Sequence, residues 1–206
     1  TAQDTSVKID YTVTVTDVNL CVSTASVDVI VNASPLVKIS ELDTAYCLND
    51  LPAPLTGTPA GGIFTGNGIS GNFFYPAIAG VGTHTVTYTY DNGSCVNKVT
   101  QQVIVRNIPQ MTLTDDLTIC EGDTVQLTAG GGTDYLWSTG ETTPDIMVHP
   151  NNTSVYHVTV TNIFGCSVSD SVVINVNPVP IINAGNDDAI CLGSSTMLTP
   201  VVSGGG

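Results

Sequence analysis

The chain has 206 residues, with 4 Lys and Arg against 18 Asp and Glu, for a formal net charge of −14. So acidic a chain repels polyphosphate and anionic lipid, which excludes nucleic acid and membrane surfaces as partners. No apolar run approaches the roughly 20 residues that a membrane-spanning helix needs, and 42% hydrophobic against only 11% charged residues excludes compositional disorder.

In chain order, the first predicted element is a hairpin over 11–35. Val13 and Val15 alternate with Thr12, Thr14 and Thr16, then Val27, Val29 and Val31 repeat the alternation. Period two marks strands with one face in a core, and Thr and Val favour strands because they branch at Cβ. Asp17 and Asn19 supply the turn. A second hairpin follows at 84–109 around Asn92-Gly93, and a third at 156–180 around Asn162 and Gly165. Between them, the run 124–129 (TVQLTA) reads as a strand before a turn at Gly130–Gly132, and Tyr135-Leu136-Trp137 as the next strand.

The hairpins are copies of one unit. Each carries a cysteine followed 14 residues later by proline: Cys21 and Pro35, Cys95 and Pro109, Cys166 and Pro180. A second cysteine follows each proline by 11 or 12 residues, at Cys47, Cys120 and Cys191. Proline cannot extend a sheet ladder, so it suits a domain boundary. The period of 71–74 residues predicts an all-β chain of tandem antiparallel β-sandwiches. The expected frame is the end of an Ig-like domain (1–35), a PKD-like sandwich (36–109), an Ig-like sandwich (110–180) and the start of a further one (181–206), cut from a longer array. The partial domains would be completed by the same polypeptide or by a neighbouring one. Trp137 and Phe64 each lie 17 residues after a cysteine and are expected in the cores.

Residues 61–95 (GGIFTGNGISGNFFYPAIAGVGTHTVTYTYDNGSC) resemble the PKD-like domain of large surface proteins of Bacteroidetes. Residues 118–166 and the run AGNDDAICLGSS at 184–195 are similar to Ig-like repeats of the same proteins. The resemblance covers nearly the whole chain. It implies gliding adhesins, surface filaments or spacers beside catalytic modules, an extracellular or cell-surface location, and export by type IX secretion.

Six cysteines without a close C-x-x-C pair read as disulfides rather than metal ligands, and so imply an oxidising compartment. Two schemes remain open. Cys47–Cys95 and Cys120–Cys166 would staple each domain internally, closing loops of 48 and 46 residues worth roughly 4 kcal/mol each, and would leave Cys21 and Cys191 unpaired in this chain. Cys21–Cys47, Cys95–Cys120 and Cys166–Cys191 would bridge domain boundaries. The intradomain scheme is the expectation, since a domain with its own staple suits duplication.

The resemblance makes Thr44, Thr124 and Ser171 candidate O-glycosylation sites, each inside an Asp-Ser/Thr-apolar tripeptide. Asp115-Asp116 and Asp187-Asp188 are weak Ca²⁺ candidates, better read as solvated loop carboxylates without the dense spacing of a calcium loop. No G-x-S-x-G, H-E-x-x-H or phosphate-cradling loop is present, so no enzyme and no cofactor is expected. His157 alternates with the inward positions and is expected to face solvent. The functional expectation is a structural length of stalk or filament. Its partners would be neighbouring repeats and other copies in a filament. The alternatives are an adhesin for glycans or surfaces, with Phe73, Phe74, Tyr75 and Phe164 as the loop aromatics available for contact, and a spacer of a secreted enzyme.

Overall fold

The computed structural model describes residues 6–187 and 189–204. The chain divides into two compact units, 1–107 and 108–206. Among the described residues all regular structure is β apart from one four-residue helix.

The first unit begins with the hairpin β1 (Val7–Thr16) and β2 (Val22–Val31), paired antiparallel over ten residue pairs from Val7↔Val31 to Thr16↔Val22. Every residue of both strands is exposed, including Val13 at 61% and Val27 at 61%. The hairpin therefore has an apolar stripe that no other described residue covers. Asp10 and Asp28 face each other across the ladder and share a hydrogen bond, which raises the Asp10 pKa; that bond and the Lys8 ammonium lower that of Asp28.

A sandwich follows. It comprises β3 (Lys38–Ser40), β4 (Ala45–Cys47), β5 (Ala53–Pro54), β6 (Thr56–Thr58), β7 (Ile63–Thr65), β8 (Ile69–Ser70), β9 (Phe73–Phe74), α1 (Pro76–Ala79), β10 (Gly82–Asp91) and β11 (Val96–Arg106). The principal sheet runs β4-β11-β10-β7, faced by the short sheets β3-β6 and β5-β9-β8. The alternation read from sequence sets the pleat. Val86 and Tyr88 on β10, with Val103 and Val105 on β11, are at most 1% exposed, while Thr83, Thr85, Lys98 and Thr100 point outward. Phe64, Phe74, Leu55 and Val37 complete this core.

The second unit carries β12 (Thr112–Leu113), β13 (Leu117–Cys120), β14 (Val125–Gly130), β15 (Asp134–Trp137), β16 (Asp145–Val148), β17 (Ser154–Thr161) and β18 (Ser167–Asn177). Two sheets, β12-β14-β16 and β13-β18-β17-β15, make an Ig-like sandwich. Its core is Trp137 packed with Leu127, Ala129, Ile146, Val148, Val158, Val160, Val172 and Ile174. An exposed two-stranded pair ends the unit, β19 (Ile181–Asn183) with β20 (Val201–Ser203).

In both sandwiches the strand near the domain's start runs parallel to its last strand. Ala45–Cys47 pair with Ile104–Arg106, and Leu117–Cys120 with Ile174–Asn177. Backbone bonds extend both ladders, from Ile104 N to Thr44 O, Leu48 N to Arg106 O and Glu121 N to Asn177 O.

Gly131 holds φ +95°, and a Cβ there would lie 2.0 Å from the Gln110 carbonyl oxygen. A side chain is thus opposed by both the backbone angle and a neighbouring backbone that cannot yield. Gly131→Ala is expected to destabilise the second unit by about 1–3 kcal/mol, read as a lowered denaturation midpoint; an unchanged midpoint would contradict this packing.

Candidate functional site: the two cysteine turns

The residues that the repeat marks most clearly sit in two recurring turns. The first is the hairpin turn. In each copy an Asp or Asn side chain accepts hydrogen bonds from backbone N–H groups within the turn. Asp17 Oδ1 accepts from Asn19 N and Cys21 N at 2.8 Å. Asn92 Oδ1 accepts from Ser94 N at 3.0 Å and Cys95 N at 2.8 Å. Asn162 Oδ1 accepts from Phe164 N at 2.9 Å and Cys166 N at 3.1 Å. The same residue's own N–H donates to the cysteine carbonyl each time, closing the loop. This Asx chemistry fixes the cysteine at the tip of the hairpin.

The second turn follows the parallel strand. Asp50 Oδ2 accepts from Cys47 N at 2.7 Å, and Asp123 Oδ2 accepts from Cys120 N at 3.1 Å. Asp50 N and Asp123 N donate back to the carbonyls of Cys47 and Cys120. Ser194 N makes the corresponding bond to Cys191 O at 3.0 Å. The sequence signal is Cys-x-x-Asp or Cys-x-x-Ser, which the spacing between cysteines alone does not reveal.

The structure departs from the intradomain disulfides. Cys47 and Cys166 are disulfide-bonded, whereas Cys95, Cys120, Cys21 and Cys191 carry free thiols. The register gives the reason. Cys47 lies beside Arg106 at the end of β11, and Cys95 immediately precedes its start at Val96. Ten residues of strand set them about 33 Å apart, while bonded cysteines need Cα atoms within roughly 7 Å. Cys120 lies beside Asn177 at the end of β18, and Cys166 precedes its start at Ser167, so that pair is separated equally.

The other sequence-marked residues are dispersed. Thr44 and Thr124 are exposed in loops, the latter with its hydroxyl 3.4 Å from His149 Nδ1, and Ser171 is half-buried on β18. Asp115 and Asp116 line a shallow depression with Asp170, but Asp116 Oδ1 is engaged by Val173 N at 2.8 Å. Asp187 is exposed in the loop after β19, and Asp188 lies outside the described residues. Among the described residues no three His, Cys, Asp or Glu side chains gather as a metal site.

The aromatic cluster of the first unit is divided. Phe74 is fully buried in the core, and Phe73, 43% exposed, packs on Tyr75 with ring centroids 6.3 Å apart. Phe164 is 52% exposed on its hairpin turn. Burial raises the pKa of the Tyr46 phenol, whose oxygen accepts from Asp43 N. His84 and His149 bond the backbone carbonyls of Gly80 and Asp123, at 2.7 and 3.0 Å, so they hold loops. His157 faces solvent.

The chain matches no protein-family model and no curated protein sequence. Among solved structures it is similar to immunoglobulin domains 1–5 of Sidekick-1, at 13% identity and TM-score 0.28, covering 76% of this chain and 42% of that one. It is similar to titin domains Z1Z2 in complex with telethonin, at 12% identity and TM-score 0.25, covering 71% of this chain and 99% of that one. It is also similar to the extracellular domain of protocadherin GammaB4, at 12% identity and TM-score 0.28, covering 95% of this chain and 45% of that one. The chain thus spans less than half the length of the Sidekick-1 and protocadherin chains. The β-sandwich assignment itself rests on the strand order and register of the two units.

Proposed function

We propose that the chain is a non-catalytic structural length of an extracellular stalk or filament on a bacterial cell surface, built from tandem sandwiches over 36–109 and 110–180 with partial domains on either side. The observation that carries this reading is the parallel pairing of leading and final strands in both sandwiches, β4 with β11 and β13 with β18. A pull on the two ends of such a domain slides these strands past one another. The bonds of the ladder are then loaded together, where a peeling geometry would break them singly. The acidic surface keeps neighbouring copies apart. Sugars on Thr44, Thr124 or Ser171 would add to that shielding. The Bacteroidetes origin and type IX export implied by the resemblance fit this reading.

Immunogold electron microscopy of native cells with antibodies to this chain tests it. Label along surface fibres is expected. Label confined to a secreted enzyme fraction would overturn it in favour of a spacer. Saturable binding of the purified chain to defined glycans would overturn it in favour of an adhesin.

A further inference from the structure

The sequence holds two Asn-Gly pairs, Asn67-Gly68 and Asn92-Gly93. An asparagine before glycine is open to attack on its side-chain amide by the next backbone nitrogen, because glycine has no side chain to crowd that nitrogen. The two pairs sit in opposite surroundings.

Asn92 and Gly93 lie at the exposed tip of the β10–β11 hairpin. Gly93 holds φ +84°, and a Cβ there would meet nothing within 4 Å. Its N–H donates to Asp91 Oδ1 at 2.8 Å, so a carboxylate already holds the proton that the nitrogen must lose. Asn92 Oδ1 accepts from Ser94 N at 3.0 Å and from Cys95 N at 2.8 Å. These two N–H groups polarise the amide carbon, and they stand where negative charge builds on the oxygen as that carbon becomes tetrahedral. Residues 91–94 are all exposed, so water arrives and ammonia departs freely.

Gly68, by contrast, is buried, and a Cβ on it would lie 2.6 Å from Ala79 Cβ and 2.9 Å from Tyr75 O. Asn67 Nδ2, the nitrogen that would have to leave, donates to Ala79 O at 2.8 Å and lies 3.4 Å from His84 Nδ1. Turning that amide onto Gly68 N breaks these contacts. The other hairpin turns lack the arrangement too. Asp17 has no amide to lose. Asn162 follows Thr161 rather than a carboxylate, and it precedes Ile163, whose branched Cβ crowds the attacking nitrogen.

We propose that Asn92 is a self-modifying site, converted with loss of ammonia and uptake of water to aspartate or isoaspartate, with Asp91 as the base. Gly93 N bonds to Asn92 Cγ, and the bond from Cγ to Nδ2 breaks. The Gly93 amide proton passes to the Asp91 carboxylate and leaves with the departing nitrogen as ammonia. Water then opens the cyclic imide, its hydroxyl adding to one carbonyl carbon and its proton returning to the nitrogen. Opening at the former main-chain carbonyl routes the chain through Cβ and gives isoaspartate, which inserts a methylene into the tip. Opening at Cγ gives aspartate, and the first hairpin shows that this product fits: Asp17 Oδ1 accepts the equivalent pair of bonds, from Asn19 N and Cys21 N. Either product adds one negative charge to the tip. Neither step draws on a stalk or filament role, so the two readings stand or fall separately.

The whole chain, incubated in mildly alkaline buffer with and without guanidinium chloride, is digested and mapped by tandem mass spectrometry over time. In denaturant both Asn-Gly pairs should convert at similar rates. In the folded chain Asn92 should convert at least as fast as in denaturant, and about tenfold or more faster than Asn67. Similar folded rates at the two sites, or an Asn92 slower folded than denatured, would overturn the proposal. Asp91→Ser keeps an acceptor for Gly93 N but removes the base, and it should slow conversion of Asn92 in the folded chain about tenfold or more. An unchanged rate in that variant would equally overturn it.

Discussion

Trp137→Ala will destabilise the second unit by about 3–5 kcal/mol, the loss expected when a large buried aromatic is truncated. Trp137 is 2% exposed and sits among Leu127, Ile146, Val158 and Val172, so the cavity it leaves is lined by side chains from both sheets. Its indole Nε1 also donates to Thr143 O at 2.9 Å, and that carbonyl would lose its partner. A domain has a total stability on the order of 5–15 kcal/mol, so the unit should lose a large share of it and unfold well before the unaltered chain. Chemical denaturation followed by circular dichroism reads this as one early transition, with the first unit unmoved. A shift below about 1 kcal/mol would mean that Trp137 is not the centre of that core.

Tyr88→Ala should cost the first unit about 3–5 kcal/mol, and Tyr88→Phe about 1–2 kcal/mol. The ring is 1% exposed, and two glycines close over it: a Cβ at Gly57 would lie 2.2 Å from it, and one at Gly62 2.5 Å. The hydroxyl accepts from Gly62 N at 2.9 Å and donates to Pro59 O. The phenylalanine variant isolates those two bonds from the packing of the ring. Equal midpoints for the two variants would place the whole effect in the hydroxyl and contradict the packing argument.

The hairpins were legible because their chemistry is local. Val86, Tyr88, Val103 and Val105 alternate with polar residues, and the period-two pattern specifies which face is buried. Trp137 and Phe64 were legible as core aromatics from their spacing after a cysteine. The strands β5, β8 and β9 were not, since each is two residues long amid Gly and Pro and is held by sheet neighbours rather than by its own pattern. Phe74 stands among the loop aromatics in sequence for the same reason, because nothing in Phe73-Phe74-Tyr75 says which ring turns inward. The cysteine geometry was missed for a different cause. Regular spacing reports that a unit repeats, while pairing depends on register, and only the parallel ladders of β4 with β11 and β13 with β18 place the two series a strand length apart.

The central claim is that this chain is a tandem of separately cored sandwiches whose parallel end strands resist extension. Single-molecule stretching of the whole chain under reducing conditions tests it most directly. The account predicts two discrete unfolding events, each releasing on the order of 70 residues or about 250 Å of contour. A single event releasing both units together, or extension without resolvable force peaks, would contradict it.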